Sequence, residues 1–325
     1  MIYILSTDVH ELSTEDVMDW LYVTDTPFMR INGEYMTDLT YNLEICNEKH
    51  PPWFNLNAET GKAVVWYRRW HKREFIDAIN ITIDGGALFN LRKHLNNELG
   101  VLSGFFFNQF KNSIWIDHPQ HVHLNKLTIL SMAVLEGIKI PDTIVATSKI
   151  QIEAFFKKHE RLITKPISEV SYFNTHGQSF GMDTKEIDLQ FVENLGDDIF
   201  FPSLVQELII KAFDIRIFYL EGSFYAMAIL SQRRKNSELD FRNYDYQNPD
   251  RQLPFQLPSE IEDKLRNLVV KANLEHCSID MIKSIEGDYV FLEINPVGQF
   301  GMVSIPCNYH LEMKIANFLA QKSNN

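Results

Sequence analysis

The sequence contains little cysteine and no long hydrophobic run, and both features narrow the class of protein. Cys46, Cys277 and Cys307 are its only cysteines, and they stand far apart, without a CxxC pair or a matching histidine pattern. This spacing argues against a disulfide framework and a structural zinc module. No apolar stretch reaches the roughly 18 residues that cross a membrane, and residues 1–6 lack the basic start of a signal peptide. We therefore expect a cytoplasmic protein with no membrane partner.

Positive charge is scarce as well. The 31 Lys and Arg residues are outnumbered by 43 Asp and Glu residues, which gives a formal net charge of -12. Nucleic-acid binders need a basic field to displace counterions from phosphate, so no nucleic-acid partner is expected. Any bound polyanion must lie in a local basic pocket. The apolar content of 45% and charged content of 23% are those of an ordinary globular enzyme.

The chain length and the order of predicted elements indicate an α/β protein with three subdomains. Its 325 residues exceed the usual size of one domain. Residues 1–120 alternate short apolar strands with helices, although no Gly-rich dinucleotide fingerprint follows the first strand. Residues 121–205 predict a helix, strand, helix, strand subdomain. Residues 206–325 predict a mostly antiparallel sheet and a long helix from Ser259 to about His276.

Three oxygen-bearing side chains are predicted on one face of a C-terminal hairpin. Asp280 lies in its first strand, and Glu293 and Asn295 lie in its second. A turn at residues 286–287 would place Asp280 opposite Glu293, whereas a turn at 287–288 would place it opposite Asn295. Both registers leave all three side chains on one face, because side chains alternate with a period of two. The other face would carry Ile279, Met281, Val290, Leu292 and Ile294.

Carboxylate and amide oxygens of this kind suit Mg²⁺, which prefers hard oxygen ligands and shares substrate phosphates. The alternative is an acidic sheet face that meets solvent. If the three side chains bind metal and face solvent, replacing Asp280 or Glu293 by Ala should abolish activity and leave folding largely intact.

Four cations complement these donors: Lys126, Lys165, Lys211 and Arg216. Lys165 ends an apolar strand, and Arg216 lies within one, where a bare charge would need an anion. The pattern therefore predicts a bound phosphate. The polar loop at residues 168–183 either lies over that phosphate or forms an ordinary surface hairpin.

Over residues 125–318 the sequence resembles the ATP-grasp family. Six pieces occur in family order: His123-Leu-Asn-Lys126, Ile163-Thr-Lys165-Pro166, Val205-Gln-Glu207-Leu-Ile, Asp214-Ile-Arg216, Ser278-Ile-Asp280 and Phe291-Leu-Glu293-Ile-Asn295-Pro296. The resemblance implies an ATP-grasp fold with an N-terminal α/β domain over residues 1–120. It also implies a central subdomain over residues 121–205 and a C-terminal metal-binding subdomain over residues 206–325, with ATP between these two α+β subdomains.

The resemblance also implies the roles of individual residues. Those expected to bind the nucleotide are Lys126, Lys165, Gln206, Glu207, Leu208, Ile209, Lys211 and Asp214. Among them Lys126 and Lys165 hold phosphates, residues 206–209 form the hinge that pairs with adenine, Glu207 accepts from its amino group, and Asp214 binds ribose. Arg216 meets the γ-phosphate or an acyl phosphate. The ligands of two Mg²⁺ ions are Asp280, Glu293 and Asn295.

A narrower resemblance, to ATP-grasp peptide maturases of the microviridin and grasp-with-spasm types, rests on residues 65–69, 231–232 and 240–244. It implies that an Asp or Glu side chain of a precursor peptide with a leader segment becomes an acyl phosphate. A Ser or Thr hydroxyl or a Lys amine then captures it, giving a macrocyclic ester or amide. Arg242 and Asn243 would lie beside the reacting groups, and a homodimer is compatible with the resemblance.

Two alternatives stay open from the sequence. One is a ligase that adds free amino acids to a peptide or protein carboxylate. The other is an ATP-binding interaction protein without turnover.

Overall fold

The computed structural model of the 325-residue chain describes residues 1–7, 11–36, 63–70, 84–168, 172–175, 178–181, 183–196, 199–231 and 250–324. The chain forms two compact units. Unit 1 contains Met1–Val122, Gln299–Gly301 and His310–Asn325, and unit 2 contains His123–Gly298 and Met302–Tyr309. The subdomain boundaries predicted at residues 120 and 205 stay predictions. Within the described ranges, no helix combines the length and the apolar character needed to span a membrane.

The elements, in chain order, are β1 (Ile2–Ser6), α1 (Leu12–Val23), β2 (Phe28–Asn32), a 3-10 turn (Gly33–Met36), β3 (Val64–Tyr67), α2 (Gly85–Asn108), β4 (Ile114–Ile116), α3 (Lys126–Leu135), β5 (Thr143–Ala146), α4 (Lys149–His159), β6 (Leu162–Lys165), β7 (Tyr172–Thr175), β8 (Gln178–Gly181), β9 (Lys185–Ile187), α5 (Leu189–Asn194), β10 (Ser203–Glu207), β11 (Lys211–Leu220), β12 (Ser223–Leu230), β13 (Arg251–Phe255), α6 (Ser259–Lys271), β14 (His276–Ser284), β15 (Tyr289–Asn295), α7 (Gly301–Cys307) and α8 (Leu311–Asn324).

Unit 1 is built on a parallel sheet with the strand order β2-β1-β3-β4. Every residue of β1 is buried, as expected for a parallel strand that is covered on both faces. The core contains Tyr3, Leu5, Ile31, Met36, Ala63, Val65, Tyr67, Phe106 and Phe110. The α/β alternation predicted for this part of the chain is confirmed.

Arg68, which follows β3, is a structural cation of unit 1. Its side chain is fully buried, with Nε 3.7 Å from Glu11 Oε2, while Nε of the half-exposed Arg69 lies 2.6 Å from Glu11 Oε1. The Arg68 guanidinium also lies over the Trp66 ring. Burial lowers the pKa of Arg68 to about 10, which leaves it charged at neutral pH.

The central sheet of unit 2 has the order β5-β10-β6-β9, and all its neighbouring pairs are antiparallel. One face packs against α4 and α5 through Ala146, Ile152, Leu162, Ile187, Val192 and Val205. Alternation places Gln206 and Lys165 on the opposite face. Within the predicted polar loop, β7 and β8 pair as antiparallel strands.

The C-terminal sheet of unit 2 has the order β13-β12-β11-β14-β15 and is antiparallel throughout. Helices α3 and α6 cover one face, so the inward residues of β11 and β14 are Ile215, Ile217, Tyr219, Cys277, Ile279 and Met281. The residues that alternate with them along the strands, including Asp214, Arg216 and Asp280, point to the other face. The mostly antiparallel sheet predicted here is confirmed.

The helix predicted to reach His276 ends earlier. Helix α6 stops at Lys271, and Asn273 adopts a left-handed conformation with a φ of 57°. Asn tolerates this conformation better than most residues, so it reverses the chain and lets His276 begin β14.

The β14–β15 hairpin differs from both predicted registers near its turn. Asp280 pairs with Glu293, but a bulge follows, so that Met281 pairs with Phe291 and Lys283 with Tyr289. Phe291 therefore joins the core face, and the predicted placement of Val290 and Leu292 there is wrong. The bulge absorbs the extra residue, and Asp280 still faces Glu293.

Candidate active site

Predicted site residues lie in one row across three strands of the C-terminal sheet. Arg216 on β11 is the direct neighbour of Asp280 on β14, and Asp280 is the neighbour of Glu293 on β15. Asn295 lies two residues beyond Glu293, opposite Ser278. The structure thus brings the three predicted metal ligands and one predicted catalytic cation together on the face opposite α3 and α6.

Asp280 and Arg216 form a buried ion pair. Arg216 Nη1 lies 2.6 Å from Asp280 Oδ1 and 2.5 Å from Oδ2, and the two side chains are only 8% and 6% exposed. Asn295 Nδ2 donates a further hydrogen bond of 3.2 Å to Asp280 Oδ2. Removing two charges from water costs free energy, which their mutual attraction offsets. Removing either member of the pair would therefore leave an uncompensated buried charge.

A second buried pair lies at the start of β11. Lys211 Nζ donates to both carboxylate oxygens of Asp214, at 2.9 and 2.8 Å, and Ser231 Oγ donates to Oδ2 at 2.6 Å. Burial raises the pKa of Asp214 and outweighs the opposing charge of Lys211. Ser231 had no predicted site role, although it belongs to a segment that carries the narrower resemblance.

Lys126 connects the two sheets of unit 2. It is the first residue of α3, and Asn125 caps that helix by accepting from the Thr128 backbone N–H at 3.0 Å. Lys126 Nζ lies 3.5 Å from Glu293 Oε2 and donates to the Pro166 carbonyl at 3.3 Å. Because Pro166 follows Lys165, Lys126 lies between a predicted metal ligand and the strand end that carries a second predicted phosphate ligand.

Gln206, one of the predicted hinge residues, carries a buried acceptor in its side chain. Its Nε2 donates to Thr143 Oγ1 at 2.8 Å, and Thr143 Oγ1 itself donates to the Pro141 carbonyl. Because the hydroxyl hydrogen of Thr143 is used in the bond to Pro141, Thr143 Oγ1 can only accept from Gln206. The amide nitrogen of Gln206, and not its oxygen, must therefore face Thr143. Gln206 Oε1 is buried and has no hydrogen-bond partner among the described residues.

The side chain of Glu207, the residue predicted to accept from adenine, contacts other groups of the protein. Its Oε1 accepts from the Asp142 backbone N–H at 3.2 Å, and its Oε2 lies 3.0 Å from His159 Nδ1. The Leu208 N–H donates to the Arg161 carbonyl. Whether Glu207, Leu208 and Ile209 contact adenine stays a prediction, and Arg242 and Asn243 lie outside the described residues.

The residues present fit a magnesium nucleotide. Two carboxylates and an amide oxygen form a suitable donor set for Mg²⁺, and Lys126, Lys211 and Arg216 contact these carboxylates or the neighbouring Asp214. Gln206 Oε1, which has no partner in the part of the chain that the structure describes, would suit an amino group such as that of adenine.

Neither the protein-family models nor the curated proteins include a match to the sequence. Solved structures match nearly the whole chain. A RiPP-associated ATP-grasp ligase from Chryseobacterium gregarium, in complex with ADP and a leader and core peptide, is 24% identical with a TM-score of 0.77, covering 98% of this chain and 95% of that one. The macrocyclase MdnC from Microcystis aeruginosa MRC, bound with precursor peptide MdnA, is 23% identical with a TM-score of 0.77 and 99% coverage of both chains.

The ATP-grasp ligase PsnB, complexed with a minimal precursor, Mg and ADP, is 15% identical with a TM-score of 0.72, covering 99% of this chain and 97% of that one. These likenesses confirm the predicted fold: the chain has the fold of the ATP-grasp ligases.

Proposed function

We propose that this chain is an ATP-dependent ligase that activates Asp or Glu side chains of a precursor peptide and joins them to Ser, Thr or Lys side chains of the same peptide. The observation that carries the proposal is the row of Arg216, Asp280 and Glu293, with Lys126 lying against Glu293. Two carboxylates lie there between two cations, and a metal-bound triphosphate needs both kinds of group. Similar structures solved with ADP and with leader, core or precursor peptides support the choice of substrate.

The chemistry needs activation because a carboxylate is a poor electrophile. Transfer of the γ-phosphoryl group from ATP makes one carboxylate oxygen part of a phosphate leaving group. A hydroxyl or amine then attacks the carbonyl carbon, loses its proton, and releases inorganic phosphate. The protein contributes positioning and charge neutralisation in this scheme, and no covalent enzyme nucleophile is required.

Two Mg²⁺ ions are proposed, held by Asp280, Glu293 and Asn295, and when bound they would neutralise phosphate charge. Arg216 and Lys126, which contact Asp280 and Glu293, would be placed to bind phosphate oxygens. Arg216 would then face the γ-phosphate or the acyl phosphate, and Lys165 and Lys211 would hold the remaining phosphate charge. Asp214 would bind the ribose.

The other partners belong to the same proposal. The substrate would carry a leader segment beside its reacting core, and Arg242 and Asn243 would lie beside the reacting groups. We also propose cytoplasmic action, and a homodimer as the assembly.

The reaction is tested by incubating the chain with ATP, Mg²⁺ and an acidic precursor peptide encoded beside it. We expect the peptide to lose the mass of one water for each crosslink, with one ADP released each time. A gain in mass would indicate addition of free amino acids instead. ATP binding without ADP release would indicate a protein without turnover, and either result would overturn the proposal.

Replacing Gln206 by Leu should weaken ATP binding about tenfold, since a lost hydrogen bond to a buried acceptor is worth roughly 1–2 kcal/mol. The measurement is calorimetric titration with a non-hydrolysable ATP analogue and Mg²⁺. Inosine triphosphate is the control ligand, because it lacks the 6-amino group and its affinity should change much less. If the affinity falls equally for both nucleotides, or falls for neither, Gln206 does not contact adenine.

A further inference from the structure

Three potential metal ligands meet at one end of the central sheet. Asp142 precedes β5, His159 ends α4, and Glu207 ends β10. One ligand atom from each residue lies within 4.8 Å of the others. This cluster shares no residue with the predicted magnesium ligands.

His159 lies between the two carboxylates. Its side chain is 10% exposed, with Nδ1 3.0 Å from Glu207 Oε2 and Nε2 3.3 Å from Asp142 Oδ2. Nε2 is buried and makes no hydrogen bond within the described residues. A neutral imidazole whose Nδ1–H faces Glu207 would direct the Nε2 lone pair towards a second carboxylate. That arrangement is repulsive unless a cation lies between them.

The geometry favours a metal ion over a shared proton. A proton that joins Nε2 to Oδ2 would lie near the line between them, yet this pair fails hydrogen-bond geometry despite its short separation. A bridging metal lies off that line. Nitrogen and oxygen ligands of tetrahedral zinc, each about 2.0–2.2 Å from the ion, are about 3.4 Å apart. The observed 3.3 Å matches this spacing.

We propose that His159 Nε2 and Asp142 bind a transition-metal ion of the Zn²⁺ class, with water completing the coordination. Glu207 then has the orienting role that a carboxylate has beside many metal-bound histidines, because it faces the other ring nitrogen. A nitrogen ligand distinguishes this site from the all-oxygen donors that Mg²⁺ prefers. The ion would link the segment before β5, through Asp142, to the end of α4, through His159, and Glu207 would extend this link to the end of β10.

Lys158 is the competing cation. Its Nζ lies 2.5 Å from Asp142 Oδ2, and the lysine and aspartate side chains are 64% and 50% exposed. An ion pair this exposed contributes little, so an incoming metal can displace the lysine into solvent. Removing Lys158 should therefore strengthen metal binding.

The test is titration of the chelator-treated full chain with ZnCl₂ in excess MgCl₂, followed by calorimetry and by the melting temperature. We expect one Zn²⁺ that raises the melting temperature and binds at least about tenfold more weakly in His159→Gln. Lys158→Gln should bind it more tightly. The matched control is the double variant His118→Gln with His121→Gln, whose ring centroids lie 5.6 Å apart in unit 1, and its zinc affinity should be unchanged.

Zinc uptake that is equal in the wild-type and His159→Gln chains would overturn the proposal, as would uptake that is lost only in the His118 and His121 control. Because no readout involves ligation, this result is independent of the proposed function.

Discussion

Glu293→Gln is expected to lower ATP-dependent ligation by roughly 10²–10³-fold, the loss typical of removing one preorganised charge-stabilising group. The substitution keeps the shape of the side chain and removes the negative charge that a hard cation needs. The Glu293 side chain is 17% exposed and contacts Lys126, so the cost in stability should be small. The measurements are the rate of ADP release with precursor present and the melting curve followed by circular dichroism. Full activity in this variant would remove Glu293 from the metal site.

Asp280 must be tested differently, because the structure contradicts the expectation that Asp280→Ala folds normally. Its side chain is buried and paired with Arg216, so truncation would leave a buried guanidinium without that carboxylate. Losing one member of a buried pair typically costs about 3–5 kcal/mol. Replacing both, as Asp280→Leu with Arg216→Met, should recover much of the stability and no activity. A double variant as unstable as the single ones would contradict this account of the pair.

The sequence was sufficient to predict that three oxygen-bearing side chains share one face of the hairpin. Period-two alternation places Asp280, Glu293 and Asn295 together in either register, so that inference did not depend on the turn. The bulge after Asp280 was not predictable, because it depends on how the turn at residues 285–287 closes. The turn closes through hydrogen bonds from the Gly287 N–H to the Ser284 carbonyl and from the Ser284 N–H to the Asp288 carbonyl. Val290 and Leu292 were misplaced for that reason.

The partners of the side chains could not be predicted from the sequence, for a different reason. Arg216 and Asp280 are 64 residues apart, and only the order of strands in the sheet makes them neighbours. The same holds for Gln206 and Thr143, which are 63 residues apart. The burial of Asp280 and the orientation of the Gln206 amide follow from those neighbours. A one-dimensional pattern therefore predicted the residue types of the site and left their contacts open.

Gly298 should prove as important to the proposed site as the predicted metal ligands. It follows β15 with a φ of 50°, and its N–H donates to the Asn295 carbonyl at 3.1 Å. A Cβ at this position would lie 3.0 Å from the Ser278 backbone nitrogen and 3.2 Å from a ring carbon of Phe218. Backbone cannot move aside as a flexible side chain can. Gly298→Ala would therefore push the chain away from β14 and displace Asn295.

Gly287→Ala is the matched control for Gly298→Ala. Gly287 also has a positive φ, of 94°, but a Cβ there would meet none of the described residues within 4 Å. The control should lose only the cost of a left-handed alanine, roughly 1–2 kcal/mol, and keep its activity. We expect Gly298→Ala to lose roughly 2–5 kcal/mol, because overpacking of about 1–3 kcal/mol adds to that strain. It should also need a higher Mg²⁺ concentration for half-maximal ADP release, measured below its melting temperature. If the two variants are equally stable and equally active, the close approach of Gly298 to β14 does not position Asn295.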